Sequence, residues 1–192
     1  MTNCDVVMKY GNRNAVIVFI LIFMLVILGL LKLSLTANFM KFMGHSIGFP
    51  ETIIGIPDEK AISDLNLVPI PKMVIWVDST ECSSCRIGNL YEYDELYRKS
   101  QDYGFEVVIM FSPREDEYSD VMHMVGLRHY EFPVYFDSNN SFGLSNKIPS
   151  DRRFHAFLLD CDNRVCFIGD PTSTAKLNSL FGEAMKGIVA DR

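Results

Sequence analysis

The chain has 192 residues, 48% hydrophobic and 22% charged, which suits one core-bearing domain rather than two. With 14 Phe and 8 Tyr against 12 Gly, the disordered and collagen-like classes are excluded. From Pro50 onward 23 Asp and Glu face 14 Lys and Arg, a formal −9 that repels phosphate backbones and excludes nucleic acid as an expected partner.

In chain order, the first feature is Ala15 to Leu31, 17 residues without a charge, ended by Lys32. A helix needs roughly 20 residues to cross a ~30 Å hydrocarbon core. Extension to Leu35 gives 21, with Lys32 able to snorkel to the interface. A transmembrane helix over 15–35 is therefore expected, behind a short tail of residues 1–14. A cleaved signal peptide is the rival reading; the run is long for one and no A-x-A site follows it. Lys9 and Arg13 before the run nearly balance Lys32 and Lys41 after it. The short tail tips the expectation toward a cytoplasmic N-terminus. Residues 36–64, broken by Gly44, Gly48, Pro50, Gly55 and Pro57, read as a juxtamembrane linker to a domain over 65–192.

Lys72 to Asp78 is an apolar run of strand length, the pattern of a strand buried on both faces. Residues 82 to 100 carry Ile87, Leu90 and Tyr97 at helical spacing, and Phe105 to Phe111 is a second buried strand. A short helix is predicted over 117–127, a third strand over 133–137 and one helical turn over 141–147. Phe154–Asp160 and Val165–Gly169 flank Cys161-Asp-Asn-Arg164, a hairpin with turn chemistry at its centre. A last helix runs from about Ser173 to Ile188. Parallel units come first, and an antiparallel hairpin closes the sheet.

The chemistry-bearing segment is Cys82-Ser-Ser-Cys85, where a buried strand ends and a helix begins. On a helix, residues three apart share a face, close enough for their sulfurs to bond. The first cysteine would sit at the helix N-terminus, where free amide N–H groups favour a thiolate. The second would lie one turn deeper, placed to resolve a mixed disulfide. Three readings fit this pair: a redox couple, a structural disulfide, and half of a metal site. The other nearby pair, Cys161 and Cys166, is separated from Cys85 by 75 residues, far from zinc-ribbon spacing. Those two are expected as core thiols. Tyr91, Tyr93, Tyr97 and Tyr103 are candidates for a partner surface or for simple amphipathic packing.

Strand, Cys-x-x-Cys, helix, strand, helix and a terminal hairpin with its helix together resemble the thioredoxin superfamily. Phe132-Pro-Val-Tyr-Phe-Asp137, followed by Phe157-Leu-Leu-Asp160-x-Asp162-Asn163 and Gly169, is similar to its TlpA/ResA branch of membrane-anchored thiol-disulfide oxidoreductases. The resemblance spans roughly residues 65 to 188. It implies an α/β thioredoxin-like fold, a central mixed sheet flanked by helices behind one N-terminal transmembrane helix. It further implies Cys82 as nucleophile and Cys85 as resolving thiol, with no bound cofactor. Partners would be protein thiols or disulfides and a redox partner the sequence does not identify, with the domain extracytoplasmic (periplasmic in a bacterium).

Three departures from that branch stand out. Glu81 replaces the usual aromatic residue before the first cysteine, and its carboxylate opposes thiolate formation. The slot of the family's cis-proline holds Phe154-His155, with Pro149 eight residues before Phe157. Phe154 and His155 are therefore the candidate substrate-docking residues. The family's buried carboxylate has no counterpart, since Gly88 stands six residues after Cys82. The alternatives kept open are a non-catalytic interaction domain with a structural disulfide and a copper or zinc carrier using Cys82, Cys85 and His155.

Overall fold

A computed structural model describes residues 3–51, 53–56 and 63–190. The chain divides into two compact units, Met1–Lys41 and Phe42–Arg192. Helix α1 (Asn3–Phe42) contains an apolar stretch, Val16–Phe42, long enough to cross a membrane.

The second unit carries a six-stranded mixed sheet in the order β1-β4-β3-β2-β5-β6. Its strands are β1 (Ile54–Ile56), β2 (Lys72–Val77), β3 (Glu106–Phe111), β4 (Val134–Phe136), β5 (Ala156–Leu159) and β6 (Val165–Ile168). β2, β3 and β4 are parallel and β5 and β6 pair antiparallel, as the apolar runs and the closing hairpin imply; β1, which the sequence reading did not expect, pairs antiparallel with β4. β2 is central and buried along its whole length. Even Lys72 is fully covered; its Nζ donates to the carbonyls of Val68 and Ile70 and to Asn163 Oδ1 at 2.9–3.0 Å.

Alternate residues of the central strands serve two different cores. Met73, Ile75, Val77, Val107, Ile109 and Phe111 pack with residues of α3 (Ser83–Asn89), α4 (Asp94–Tyr103), α5 (Tyr118–Gly126) and α7 (Ala175–Ala190). On the other face, Trp76 meets Phe142 of α6 (Ser141–Ser145), and Phe42 meets Phe157 edge-on at 5.3 Å.

That second face explains where the sequence reading of residues 36–64 needs correcting. Phe42, Ile47, Phe49 and Ile53 are all buried, β1 extends the sheet edge, and Ser46 bridges to Arg164. Strands apolar on both faces need cover on both; α3, α4, α5 and α7 cover one face, and the short α6 covers only part of the other. Gly44, Gly48, Pro50 and Gly55 shape a covering segment rather than a free linker, while Pro57 lies outside the described residues. The short α2 (Ser63–Leu67) follows it, with Leu65 buried.

The helix expected over residues 82–100 is broken. α3 passes into a 3-10 turn at Leu90–Tyr93, which buries both of those residues, before α4 resumes. α4 then ends on Gly104, whose left-handed φ of 69° would strain any residue with a Cβ.

Candidate redox site

The site forms where β2 ends. Asp78 Oδ1 accepts from the Thr80 amide at 2.8 Å and the Thr80 hydroxyl at 2.7 Å, an Asx-type turn that redirects the chain into α3. Cys82 is the N-cap of α3, and its Sγ receives the Cys85 N–H at 3.4 Å. The Ser84 hydroxyl lies 3.4 Å from the same sulfur. A sulfur that already receives an N–H is stabilised as thiolate once the bond to Cys85 opens.

Cys82 and Cys85 form the one disulfide among the described residues, with Cα atoms 5.3 Å apart. Both cysteines are exposed, with Cys82 at the N-cap and Cys85 one turn further along α3. Ser83 and Ile87 form the buried side of α3, so the face that carries Cys82 and Cys85 turns to solvent. Among the remaining thiols, Cys166 donates to the Leu158 carbonyl at 3.3 Å, and burial pushes its pKa up to about 12. We expect Cys166 to resist iodoacetamide at pH 8 in the folded domain and to react only after unfolding. Alkylation mapped by mass spectrometry with and without urea checks this.

The two residues of the docking slot separate. Phe154 is 1% exposed and meets Phe42 edge-on at 5.9 Å, so its ring is committed to the core. His155, also buried, is held in register because the Trp76 amide donates to its carbonyl at 2.7 Å. Its ring lies 4.5 Å from that of Trp76, with Nδ1 3.0 Å from Glu81 Oε1 and Nε2 3.2 Å from the Pro149 carbonyl. His155 thus stands against the residue that precedes Cys82.

Glu81 Oε2 is also 4.0 Å from Arg86 Nε, and an Arg86 terminal nitrogen donates to Tyr93 Oη at 3.1 Å. Tyr93 in turn donates to Asp170 at 2.7 Å; burial and the Asp170 carboxylate push its phenol well above the ordinary tyrosine range. Tyr93 is therefore structural, and Tyr97 packs half-buried, whereas Tyr91 and Tyr103 are exposed.

Asp78, Glu81 and His155 bring potential ligand atoms within 4.8 Å of one another. Each is already partnered inside the protein, and the Arg86 guanidinium stands beside Glu81. The cluster is a self-compensating polar group. It does not unite Cys82, Cys85 and His155 as the soft donor set that a copper carrier needs.

Below the site, Trp76 Nε1 donates to Ser112 Oγ at 2.9 Å, and Ser112 donates to Asp137 at 3.2 Å. Asp137 is fully buried and also accepts from Ser141 Oγ and the Phe142 amide. Gly143 is needed on the same side: a Cβ there would stand 2.5 Å from Trp76 Cη2. The support role of Asp137 is not apparent from the residues singled out in the sequence. Its position, at a strand end just before the Asn139-Asn140-Ser141 turn, was the available signal.

A central mixed sheet, with a Cys-x-x-Cys at the junction of its central strand and a helix, defines a thioredoxin-like fold. Solved structures agree. An uncharacterized thioredoxin-like protein from Porphyromonas gingivalis is 15% identical, with a TM-score of 0.52 over 77% of this chain and 95% of its own. A protein assigned as thiol:disulfide interchange protein DsbE from Chlorobium tepidum is 16% identical, with a TM-score of 0.50 over 73% of this chain and 98% of its own. An uncharacterized conserved protein from Geobacillus kaustophilus is 13% identical, with a TM-score of 0.53 over 76% and 84%. No protein-family model and no curated protein sequence matches the chain.

Proposed function

We propose that the protein is a thiol-disulfide oxidoreductase of the TlpA/ResA type, acting on protein cysteines through Cys82 and Cys85. The observation that carries this reading is the exposed disulfide at the head of α3, where the Cys85 N–H already points at Cys82 Sγ. In the reducing direction the Cys82 thiolate attacks a substrate disulfide, and one substrate sulfur leaves as a thiolate and takes up a proton. Cys85 then loses its proton and attacks Cys82 Sγ, closing the internal disulfide and expelling the second substrate thiolate. Two electrons pass to the substrate, and a redox partner restores the dithiol; the oxidising direction is the reverse.

In the same proposal, residues 15–35 anchor the chain in a membrane with the N-terminus cytoplasmic and the domain extracytoplasmic, where disulfide chemistry persists. The apolar exposed helix supports the anchor, and the cysteine chemistry supports the side.

The test is a redox titration of residues 42–192 against graded thiol/disulfide buffers, with free thiols trapped and weighed by mass spectrometry. A reversible two-electron transition confined to Cys82 and Cys85 is expected, and its midpoint distinguishes reductant from oxidant. A pair that stays closed at every poise would assign the domain a non-catalytic, disulfide-stapled role instead.

A further inference from the structure

Both ring nitrogens of His155 face acceptors. Nδ1 stands 3.0 Å from a Glu81 carboxylate oxygen, and Nε2 stands 3.2 Å from the Pro149 carbonyl. A neutral imidazole carries a single N–H, so with Glu81 ionised either tautomer turns a lone pair toward one of these oxygens. An imidazolium satisfies both contacts at once. The Trp76 ring, 4.5 Å away, offers its π-system to the same cation. Glu81, whose side chain is 10% exposed, is likewise set between two cations, His155 and the Arg86 guanidinium at 4.0 Å. A carboxylate so enclosed is stable when paired and costly when bare.

We infer that Glu81 and His155 form an internal ion pair that neutralises the carboxylate beside Cys82, making His155 a positioning residue that governs how readily Cys82 becomes a thiolate. The inference rests on the exchange reading above, and it removes the penalty that Glu81 carries when the sequence is considered alone.

Other charged groups face the pair from each neighbouring element. Asp78, at the end of β2, has an oxygen within 4.8 Å of both partners, and Arg86 approaches from α3 with Tyr93 and Asp170 behind it. Arg152, in the 3-10 turn before β5, donates to the Thr80 carbonyl at 3.4 Å. Asp78 is held by the Thr80 amide and hydroxyl. With His155 uncharged, the carboxylate adjoining Cys82 loses its nearest counter-charge.

The experiment uses the full chain, reduced, in detergent micelles. Cys82 alkylation by iodoacetamide is followed against pH by mass spectrometry of the Cys82 peptide. His155→Asn keeps a donor toward Glu81 but loses the charge; the half-point of alkylation should rise by about one pH unit. Glu81→Gln keeps an acceptor for His155 and removes the negative charge; the half-point should fall by about one unit. The double variant should return close to the wild-type profile.

Opposite signs are the signature of the ion pair. A pair that merely braces the loop would move both variants the same way or move neither, and either result overturns the inference. If His155→Asn unfolds, His155→Gln, which keeps the donor toward Pro149, replaces it under the same criterion. Alkylation needs no exchange partner. Opposite shifts in a protein that fails the redox titration would sink the activity and leave the pair standing.

Discussion

Cys82→Ser is expected to abolish catalysed disulfide exchange, with a loss of about a thousandfold or more, because no thiolate remains to open the substrate bond. Cys85→Ser should instead attack normally and then stall as a mixed disulfide, since nothing resolves it. The exposure of Cys85 adds a second expectation. In Cys82→Ser, Cys85 can still be captured by a small disulfide such as oxidised glutathione, but more slowly than Cys82 is captured in Cys85→Ser. The difference follows from the amide: Cys82 Sγ receives the Cys85 N–H at 3.4 Å, a thiolate-stabilising contact on the first sulfur. Trapping rates for the two variants, read by mass spectrometry, check the order. Equal exchange activity in Cys82→Ser and wild type would refute the assignment of the nucleophile.

Asp137→Ala is expected to produce the largest loss of stability, about 3–5 kcal/mol in urea unfolding of residues 42–192. The fully buried carboxylate accepts from Ser112 Oγ, Ser141 Oγ and the Phe142 amide, and alanine would leave those donors facing a cavity. The consequence reaches the site through one chain of contacts. Ser112 also receives the Trp76 indole N–H, and Trp76 lies against His155. Trp76 is the only tryptophan, so its fluorescence should report both the unfolding transition and the loosening of its surroundings in the native variant. A midpoint shift equivalent to less than about 1 kcal/mol would show that water replaces the carboxylate without cost.

Cys82 and Asp137 belong to different layers of the same end of the sheet. The sulfurs lie on the solvent face of a short helix, where they are free to meet another protein. Their support lies underneath, in a buried polar network whose members come from β2, from the residues just past the ends of β3 and β4, and from α6. Chemistry at the surface and rigidity below suit the proposed exchange with a transient protein partner.

Much of this architecture was legible without coordinates, because it rests on local pattern. An uncharged run of 17 residues, apolar stretches of strand length and turn residues inside a hairpin each state their element within a few positions. The Cys-x-x-Cys at a strand-helix junction needs only its neighbours to be recognised. Local pattern was insufficient where the partner lies far along the chain. Residues 36–64 looked like a linker because their Gly and Pro content describes backbone bends, while the sheet face that buries Phe42 and Phe49 is assembled from strands later in the sequence. The exposure of Cys85 depended on which side of α3 the core takes, and Ile87 alone could not say.

What the sequence determined by itself is the apolar helix, the mixed α/β order and the place of the two cysteines, all set by side-chain periodicity and turn chemistry. Tertiary structure alone decided the electrostatics around them. Glu81 and His155 are separated by 74 positions, and they meet only because β5 pairs with β2 and brings the end of one strand beside the other. A carboxylate next to a cysteine has one meaning in water and another when a buried imidazole reaches it, since burial and distance decide the sign and size of that interaction.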